Sequence, residues 1–505
     1  MDVISFCGAL ATVQAAEPVP NPTVAENRRP GTTDWQLSRP GLHHEIEGYA
    51  SRTSVNRGES IAFYVNTPDP EYKIELFRMG WYGGKGARRM GEPILRSSVS
   101  QPLPAIDPLT GIIECNWQDP YWLTIPTDAK SGWISGVYLA KLTANRSQKQ
   151  SYIIFVVRQD DRPSDYLFQS SVTTFQAYNN WGGKSLYRWN SRGGQALKVS
   201  FNRPYAPSPN PAAAYGVGAG EFLTNVQPHR RVFSAGWEYN MVRWLEREGY
   251  DITYATDIDT HANPNLLRSH RVFLSVGHDE YWSWEMRQNV EAARDAGVSL
   301  GFFSSNTCYW QIRLEPGIYG FNRFMPDRTI VAYKEWASLD PVMRDRVETN
   351  DRRITTQWRD RRVNRPEAEL LGVMYDVDPV LGDITIAPTA PDWILASTNL
   401  KPGSRLAGLL GYEVDRISSA SPSGIKTIAH SPFHWRRQTR FSDMTMYETK
   451  TAAVFATGSM QWSWGLDDFN APTLRSSYLS QAAQQMTRNV LAHLKAAARQ
   501  QAQGL

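Results

Sequence analysis

The chain has 505 residues, a length that favours about two to four domains over one core, and its formal net charge is only +4. Arg and Lys are scattered without a basic run, which argues against a nucleic-acid surface. The three cysteines (Cys7, Cys115 and Cys308) form no CxxC pair, so neither a zinc ribbon nor a disulfide framework is expected. No stretch approaches the roughly 18 apolar residues that a membrane span needs.

The first 17 residues, MDVISFCGALATVQAAE, contain an apolar stretch of signal-peptide length and a small-residue motif near Ala15-Ala16. The apolar stretch and the small-residue motif favour export. Because the segment lacks the positively charged start of a signal peptide, a cytoplasmic protein with an apolar N-terminal segment is the alternative. Together with the Pro- and Asn-rich residues up to Pro40, this segment is predicted to be a flexible lead-in over residues 1–40.

Residues 41–160 show the pattern of an all-β domain. Runs such as Ile61–Val65, Lys73–Phe77 and Gly136–Thr143 are separated by turn signals, and their spacing predicts an immunoglobulin-like β-sandwich. A loop rich in Gly and aromatic residues, Arg78–Gly86, leaves this domain. It is expected either to reach a neighbouring active site or to pack in a domain interface.

Residues 161–498 alternate between strand-like and helical segments, which predicts a mostly parallel sheet with crossover helices. The first segments are strands over Tyr166–Phe175, Asp251–Ala255, Val272–Val276 and Val298–Phe303, with a helix over Tyr239–Glu248. Arg313–Thr398 indicates only loops and short strands. The predicted class is α/β: a β-sandwich followed by a Rossmann-like or amidotransferase-like domain.

The clearest candidate site is the polar turn that follows Val272–Val276. It comprises His278-Asp279-Glu280-Tyr281-Trp282. Ligands of open α/β sheets bind at the carboxyl ends of strands, where this turn lies. Alternate residues of an extended segment point the same way, so His278 and Glu280 are expected on one face and Asp279 and Tyr281 on the other. A His-x-Glu pair suits a metal ligand with a general base, or a proton relay; the alternative is simple hydrogen bonding within the loop.

Polar side chains also follow two other predicted strands. The first group is Tyr178-Asn179-Asn180-Trp181, with Tyr187 downstream, and it is expected at the same sheet edge as the polar turn. The second is Asn306-Thr307-Cys308-Tyr309. A cysteine at a strand end suits a nucleophile, but a cysteine without basic sequence neighbours is more typical of a buried small residue.

Several of these stretches occur together in a known family. They are TFQAYNNWGGKSLY, GHDEYWSWEMRQNVEAARDAGVSLGFFSSNTCYW, NRPEAELLGVMY, GLLGYEVDR and GSMQWSWGLDD. Over about residues 162–497 the chain resembles the C-terminal domain of the N,N-dimethylformamidase large subunit, and the preceding sandwich resembles the module often attached to it. The best-known activity of that family is the hydrolysis of small formamides. The resemblance therefore implies a hydrolase of a C–N bond in a small linear amide.

The resemblance also implies a mononuclear iron, expected to be ferric, held by two tyrosinates and one glutamate. Carried over by motif, the ligands are Tyr178, Tyr187 and Glu280, and His278 is the acid or base. Tyr178 and Tyr187 are much closer in sequence than the two tyrosines of the formamidase itself, which leaves Tyr239 and Tyr281 as alternatives for the second ligand. Phenolate and carboxylate are hard oxygen donors that suit such an ion.

The remaining expected roles follow from position in or near the polar turn and the two polar groups that follow other predicted strands. Substrate contacts are expected from Asn179, Trp181, Trp282 and Asn306, an aromatic shell from Trp181, Trp282 and Trp310, and support from Asp279. The expected partner is a small amide. The sequence gives no indication of the small subunit of the formamidase. A homo-oligomer is an open alternative. Two other functions also stay open: a non-catalytic carbohydrate- or protein-binding protein, and an amidotransferase-like enzyme with Cys308 as nucleophile.

Overall fold

The computed structural model describes residues 21–225, 234–317, 325–347 and 352–498, so the predicted signal-like segment and Cys7 lie outside the described residues. The fold is mixed α/β, with many strands in several sheets and fewer helices. Within the described ranges, no helix has the length and apolarity needed to cross a bilayer.

The strands are β1 (Glu47–Ala50), β2 (Ser54–Asn56), β3 (Ser60–Asn66), β4 (Glu71–Met79), β5 (Ala87–Arg89), β6 (Ile94–Ser97), β7 (Tyr121–Thr124), β8 (Gly136–Ala144), β9 (Gln150–Arg158), β10 (Tyr166–Ser170), β11 (Lys198–Ser200), β12 (Ile252–Thr256), β13 (Val272–His278), β14 (Tyr281–Ser283), β15 (Ser299–Ser305), β16 (Trp310–Glu315), β17 (Thr329–Val331), β18 (Met374–Thr385), β19 (Arg405–Arg416), β20 (Lys426–Trp435), β21 (Gln438–Glu448) and β22 (Ala453–Ala456). The α-helices are α1 (Pro22–Asn27), α2 (Val172–Tyr178), α3 (Glu238–Glu248), α4 (Asp257–Ala262), α5 (Trp284–Asp295), α6 (Ala368–Leu371), α7 (Asp392–Leu395) and α8 (Gln481–Ala497).

The first nine strands form two sheets, one of order β1-β3-β7 and one of order β2-β9-β8-β4-β5 with β6 beside β4. Apolar side chains from both sheets, such as Phe63 of β3 and Phe155 of β9, meet in one core. The strands predicted in this region are found within a few residues of their expected ends.

The central sheet has the order β12-β10-β13-β15-β22-β21-β20. Its first five strands are parallel, and β21 and β20 extend it antiparallel. Every residue of β13 is buried, as expected for a strand covered on both faces. Val272 and Leu274 pack in the cluster that contains α8, whereas Phe273 packs with Met286 and Val290 of α5. Ser283 caps α5, because its Oγ accepts a hydrogen bond from the Met286 amide.

Two predicted elements are wrong in part. The expected strand Tyr166–Phe175 ends at Ser170, and α2 follows, although its start is rich in β-branched residues. Buried partners favour the helix: Thr173 Oγ1 donates to Asp257, and Thr174 Oγ1 accepts from the Glu280 amide. The region Arg313–Thr398 contains the 12-residue β18, whose alternation is broken by register shifts against β19.

A buried ion pair joins β4 to α3. Arg78 Nη2 lies 2.7 Å from Glu246 Oε1, and neither side chain is exposed to solvent. Tyr82 and Tyr254 add hydrogen bonds of 2.9 Å to the guanidinium and the carboxylate. Of the two predicted roles for the loop Arg78–Gly86, the structure therefore shows packing in an interface.

Arg78→Met is expected to lower the free energy of unfolding by about 3–5 kcal/mol, because it leaves a buried carboxylate without its cation. The double variant Arg78→Met/Glu246→Leu should recover much of that loss. Denaturant midpoints measure both. Arg96→Met, which breaks the partly exposed pair with Asp119, serves as the control and should cost less than about 1 kcal/mol. Equal losses for the two single variants would contradict the assignment.

Candidate functional site

The candidate site lies where three neighbouring parallel strands end. β10 leads through α2 to Tyr178, β13 ends at His278, and β15 ends one residue before Asn306. His278 is in register with Ser305 of β15, so the last two ends are directly adjacent. β19 supplies Glu413 to the same place. The arrangement fits the general position of sites in parallel sheets.

Three oxygen groups converge at the centre of the site. Tyr178 Oη donates to Glu280 Oε2 at 2.8 Å, and Tyr187 Oη lies 2.8 Å from the same carboxylate atom. The two phenol oxygens are 2.7 Å apart, and their rings stack with centroids separated by 4.3 Å. Two phenols and one carboxylate thus share one small volume.

His278 lies among three buried carboxylates. Its Nε2 is 3.2 Å from Glu280 Oε2 and 3.8 Å from Glu413 Oε2, and its Nδ1 is 3.7 Å from Glu221 Oε2. Among the described residues, neither ring nitrogen has hydrogen-bond geometry to a partner, and the same holds for both Glu221 oxygens and Glu413 Oε2. Buried polar atoms of this kind normally have partners. These buried atoms are therefore available to a further group.

The backbone before His278 fixes the direction of its ring. Gly277 has φ +73°, and an added Cβ would lie 2.6 Å from Trp237 Cβ, so only glycine fits without strain. The Trp237 ring stands edge-on to His278 with centroids 6.2 Å apart, and the Tyr178 ring packs on it at 5.1 Å. The imidazole is thus held between two aromatic rings.

Burial and charge act differently on these groups. Burial, and then the negative charge of Glu280, holds the pKa of Tyr178 and Tyr187 well above the ordinary value. Burial opposes ionisation of Glu280, but His278 and Lys334 outweigh it and lower that pKa. Burial also disfavours the charged form of His278, but the surrounding carboxylates raise its pKa well above the ordinary value. Burial and the charge of Glu280 raise the pKa of Glu413.

Lys334 is a buried cation at the edge of the cluster. Its Nζ lies 3.5 Å from the centroid of the Tyr187 ring and donates to Tyr281 Oη at 3.1 Å. Burial lowers the pKa of Lys334 to about 8, although Glu280 opposes this. Tyr281 Oη in turn donates to Tyr187 Oη at 2.6 Å. Lys334 and Tyr281 therefore stand behind one of the two central phenols.

The donor set fits a hard metal cation. The oxygens of Tyr178, Tyr187 and Glu280 converge, the phenols are hard to ionise without added positive charge, and neighbouring carboxylate atoms lack partners. No group of three His, Cys, Asp or Glu side chains in the described ranges could hold a metal.

The expected geometry around the polar turn is correct for three residues and wrong for one. His278 and Glu280 share a side, and Asp279 faces away, accepting hydrogen bonds from Gln169, Ser275 and Trp282. Tyr281 was expected beside Asp279, but its hydroxyl reaches the site. The reason is that β13 ends at His278 and β14 begins at Tyr281, so the alternation of a single strand does not continue.

The other expected residues are distributed around the site. Tyr239 donates to the carbonyl of Gly86 in the interface with the first sheets. Trp282 packs in the apolar cluster beside α5. Asn179 holds its own loop, accepting from the amides of Trp181 and Ala206.

Three further expected residues have separate surroundings. Trp181 donates to Glu47 at 2.7 Å, and Trp310 packs against the ammonium of Lys334 at 4.8 Å. Asn306 is buried with φ +52°, and its backbone amide donates to Asp415 Oδ1 at 2.8 Å. Cys308 is fully buried, and burial raises the pKa of its thiol far above the ordinary value.

Sequence reasoning missed Glu221, Lys334 and Glu413. Glu413 lies inside the stretch GLLGYEVDR, and Glu221 ends the Gly-rich run GVGAGE, so both stood in recognisable surroundings. Lys334 lies in Arg313–Thr398, whose pattern indicated only loops and short strands. These residues come to the site from distant elements, and local periodicity carries no signal for that.

A second layer of carboxyl groups lies beneath the site. Asp279 is one of them, and Asp257 accepts from Thr173. Glu238 accepts from the Ser171 amide at 2.8 Å and from Ser170 Oγ at 2.7 Å. Burial raises the pKa of Glu238 to about 8, against the hydrogen bonds from Ser171 and Ser170.

Comparisons with known proteins identify a family that the chain matches. The family described as N,N-dimethylformamidase beta subunit-like, C-terminal matches residues 73–476, which includes much of the first two sheets as well as the site. The N,N-dimethylformamidase beta subunit of Paracoccus aminophilus is 30% identical over 103 residues, and that of an Alcaligenes species is 29% identical over 103 residues. These alignments cover 19% of the chain and 13% of each relative.

Glu238→Gln is expected to be more stable than the wild type, and the difference between their free energies of unfolding is expected to grow as the pH rises. The unfolded carboxyl ionises from about its ordinary pKa, whereas the folded one stays protonated until about pH 8. The wild type therefore loses stability across that window, by roughly 1.4 kcal/mol per unit of pKa shift, and the amide does not. Denaturant midpoints at pH 5 and pH 8 measure the difference, with the exposed Glu92→Gln as the matched control. A difference that shrinks as the pH rises would refute the expectation.

Proposed function

The chain belongs to the N,N-dimethylformamidase beta subunit-like, C-terminal family, and on that basis we propose that it hydrolyses the C–N bond of a small linear amide. The family supports an amide hydrolase as the class of enzyme. The substrate and the metal are part of our proposal. So is the finer architecture, an immunoglobulin-like sandwich followed by a Rossmann-like or amidotransferase-like domain.

One observation carries the proposal: the oxygens of Tyr178, Tyr187 and Glu280 converge within hydrogen-bond distance of one another beside His278. We propose that these three groups hold a mononuclear ferric iron. Such an ion would supply a Lewis acid for the amide carbonyl. The buried atoms of Glu221 and Glu413 that lack hydrogen-bond partners among the described residues support a polar ligand beside this cluster.

The chain's own groups account for the movement of protons. Amide hydrolysis takes one proton from water and gives one to the leaving amine. His278 Nε2, held between Glu280 and Glu413, is placed to deliver the proton to the amine. Glu413 Oε2 lacks a partner and, in its ionised form, is placed to accept the proton of the water. Glu221 stabilises the imidazolium from the Nδ1 side at 3.7 Å.

The contacts favour Tyr187 over its two alternatives as the second tyrosine ligand. Tyr187 Oη approaches Glu280 Oε2 at 2.8 Å, whereas Tyr281 Oη contacts the site through Tyr187. Tyr239 bonds a distant loop. Lys334 and Tyr281 would then orient the Tyr187 phenol, and this is a positioning role.

The proposed partners are the small amide and, in a homo-oligomer, further copies of the chain. The name beta subunit belongs to the two relatives and describes those proteins. The second candidate mechanism, with Cys308 as nucleophile, is disfavoured by the burial of its thiol.

Purified protein should contain about one iron per chain and hydrolyse N,N-dimethylformamide. Tyr178→Phe and Tyr187→Phe each remove one proposed ligand, so both should lose most of the iron and roughly 100-fold or more of the activity. Tyr281→Phe should keep the iron, because its hydroxyl stands behind Tyr187. Metal analysis and amine release measure these outcomes.

Tyr309→Phe is the control for removing a nearby hydroxyl. Its ring packs against Trp310, and its hydroxyl is not part of the hydrogen bonds that join Tyr178, Tyr187 and Glu280. Full iron content in Tyr187→Phe together with loss in Tyr281→Phe would reverse the ligand assignment. Undiminished activity in iron-free protein would refute the metal.

Cys308→Ala should retain at least half of the wild-type kcat, because the thiol packs in the apolar cluster and takes no part in the reaction. Initial rates with N,N-dimethylformamide at matched folded concentrations test this. Loss of all activity in a Cys308→Ala protein that keeps its wild-type Tm would instead support the cysteine mechanism.

A further inference from the structure

A cavity of about 620 Å³ lies beside the proposed centre, between the first sheets and the loop that carries the tyrosines. That volume is in the range of small-molecule sites. Its lining includes His44, Glu47, Trp181, Trp189 and Arg192. None of the proposed iron ligands lines it, so it is a separate space next to the centre.

Trp189 connects the cavity to the centre. Its indole is half exposed and lines the cavity, and its ring lies 5.8 Å from the Tyr187 ring and 6.4 Å from the Tyr178 ring. The next residue, Asn190, also lines the cavity and donates to the carbonyl of Tyr178 at 2.7 Å. One side chain thus separates the cavity from the two phenols. Tyr187 is the more exposed of the two phenols.

The charged side chains that line the cavity differ in whether they already have partners. Glu47 is already engaged, accepting from the Trp181 indole at 2.7 Å and pairing with His44 Nδ1 at 2.8 Å. Arg192 is exposed, its side chain runs along Gly183, and its guanidinium has no hydrogen bond or ion pair with any residue of the described ranges. An unpaired guanidinium is the group best suited to bind a carboxylate through two parallel hydrogen bonds.

Building on the proposed function, we propose that the cavity holds the remainder of the substrate and that the substrate is an amide bearing a carboxylate, of the N-acyl amino acid type. The scissile amide would lie at Glu280 and His278, the side chain against the Trp189 indole, and the carboxylate on Arg192. A single unpaired guanidinium suits a monoanion, because Glu47 is already engaged by His44 and Trp181. A dianionic phosphate would call for more cations than this wall provides.

The test compares three substrates on the full-length protein: N-formyl-L-phenylalanine, its carboxamide and N,N-dimethylformamide. The acid should exceed the carboxamide in kcat/KM by about tenfold, the value of one good charge-assisted contact. Arg192→Gln should abolish that preference through KM. Trp189→Ala should weaken both phenylalanine derivatives. Arg188→Gln, an exposed arginine of the same loop outside the cavity lining, should leave the preference intact.

The two proposals fail in different ways. Hydrolysis of N,N-dimethylformamide with equal kcat/KM for the acid and the carboxamide, or with a preference that survives Arg192→Gln, overturns the cavity assignment alone. If none of the three amides is hydrolysed, the proposed function fails. Calorimetric titration with N-formyl-L-phenylalanine then decides for the cavity: binding that Arg192→Gln removes and Arg188→Gln preserves supports the assignment, and absence of binding overturns it.

Discussion

The site depends on one electrostatic constraint: an excess of acidic oxygen atoms buried in one place. Three carboxylates, those of Glu221, Glu280 and Glu413, meet around a single imidazole, and two phenols share the carboxylate of Glu280. Charges taken out of water are costly unless they are paired. His278 and Lys334 offset part of the negative charge, and several carboxylate atoms still lack partners. A bound cation would remove the remaining imbalance.

The rest of the fold holds these groups in position. The parallel strands β10, β13 and β15 bring Tyr178, His278 and Asn306 to one edge, and β19 lays Glu413 against them. The layer beneath, in which Asp279 takes three hydrogen bonds, fixes the polar turn from behind. The Arg78–Glu246 pair locks the first sheets onto α3, and α3 begins next to Trp237, the ring that packs against His278. A few buried polar contacts thus connect the first sheets, α3 and the polar turn.

Much of this arrangement could be predicted from the sequence because its signals are local. The strand before His278, the cap at Ser283 and the separation of Asp279 from Glu280 follow from apolar runs, capping chemistry and strand alternation. The roles of Glu413 and Lys334 could not be predicted in this way, because their elements are remote in sequence and reach the site only through tertiary packing. Tyr281 was misplaced since alternation was extended past the end of β13. The helix α2 was predicted as strand because the first residues of α2 are β-branched. The buried hydrogen bonds of Thr173 and Thr174, which favour the helix, cannot be seen in the local sequence pattern.

The central claim is that phenolate oxygens of this chain bind a metal, and resonance Raman spectroscopy tests it most directly. With excitation in the visible absorption band of the purified protein, ring vibrations of metal-bound phenolate should be enhanced. They should weaken or vanish in Tyr187→Phe and persist in Tyr309→Phe. A protein that binds metal without visible absorption or phenolate vibrations would contradict the account.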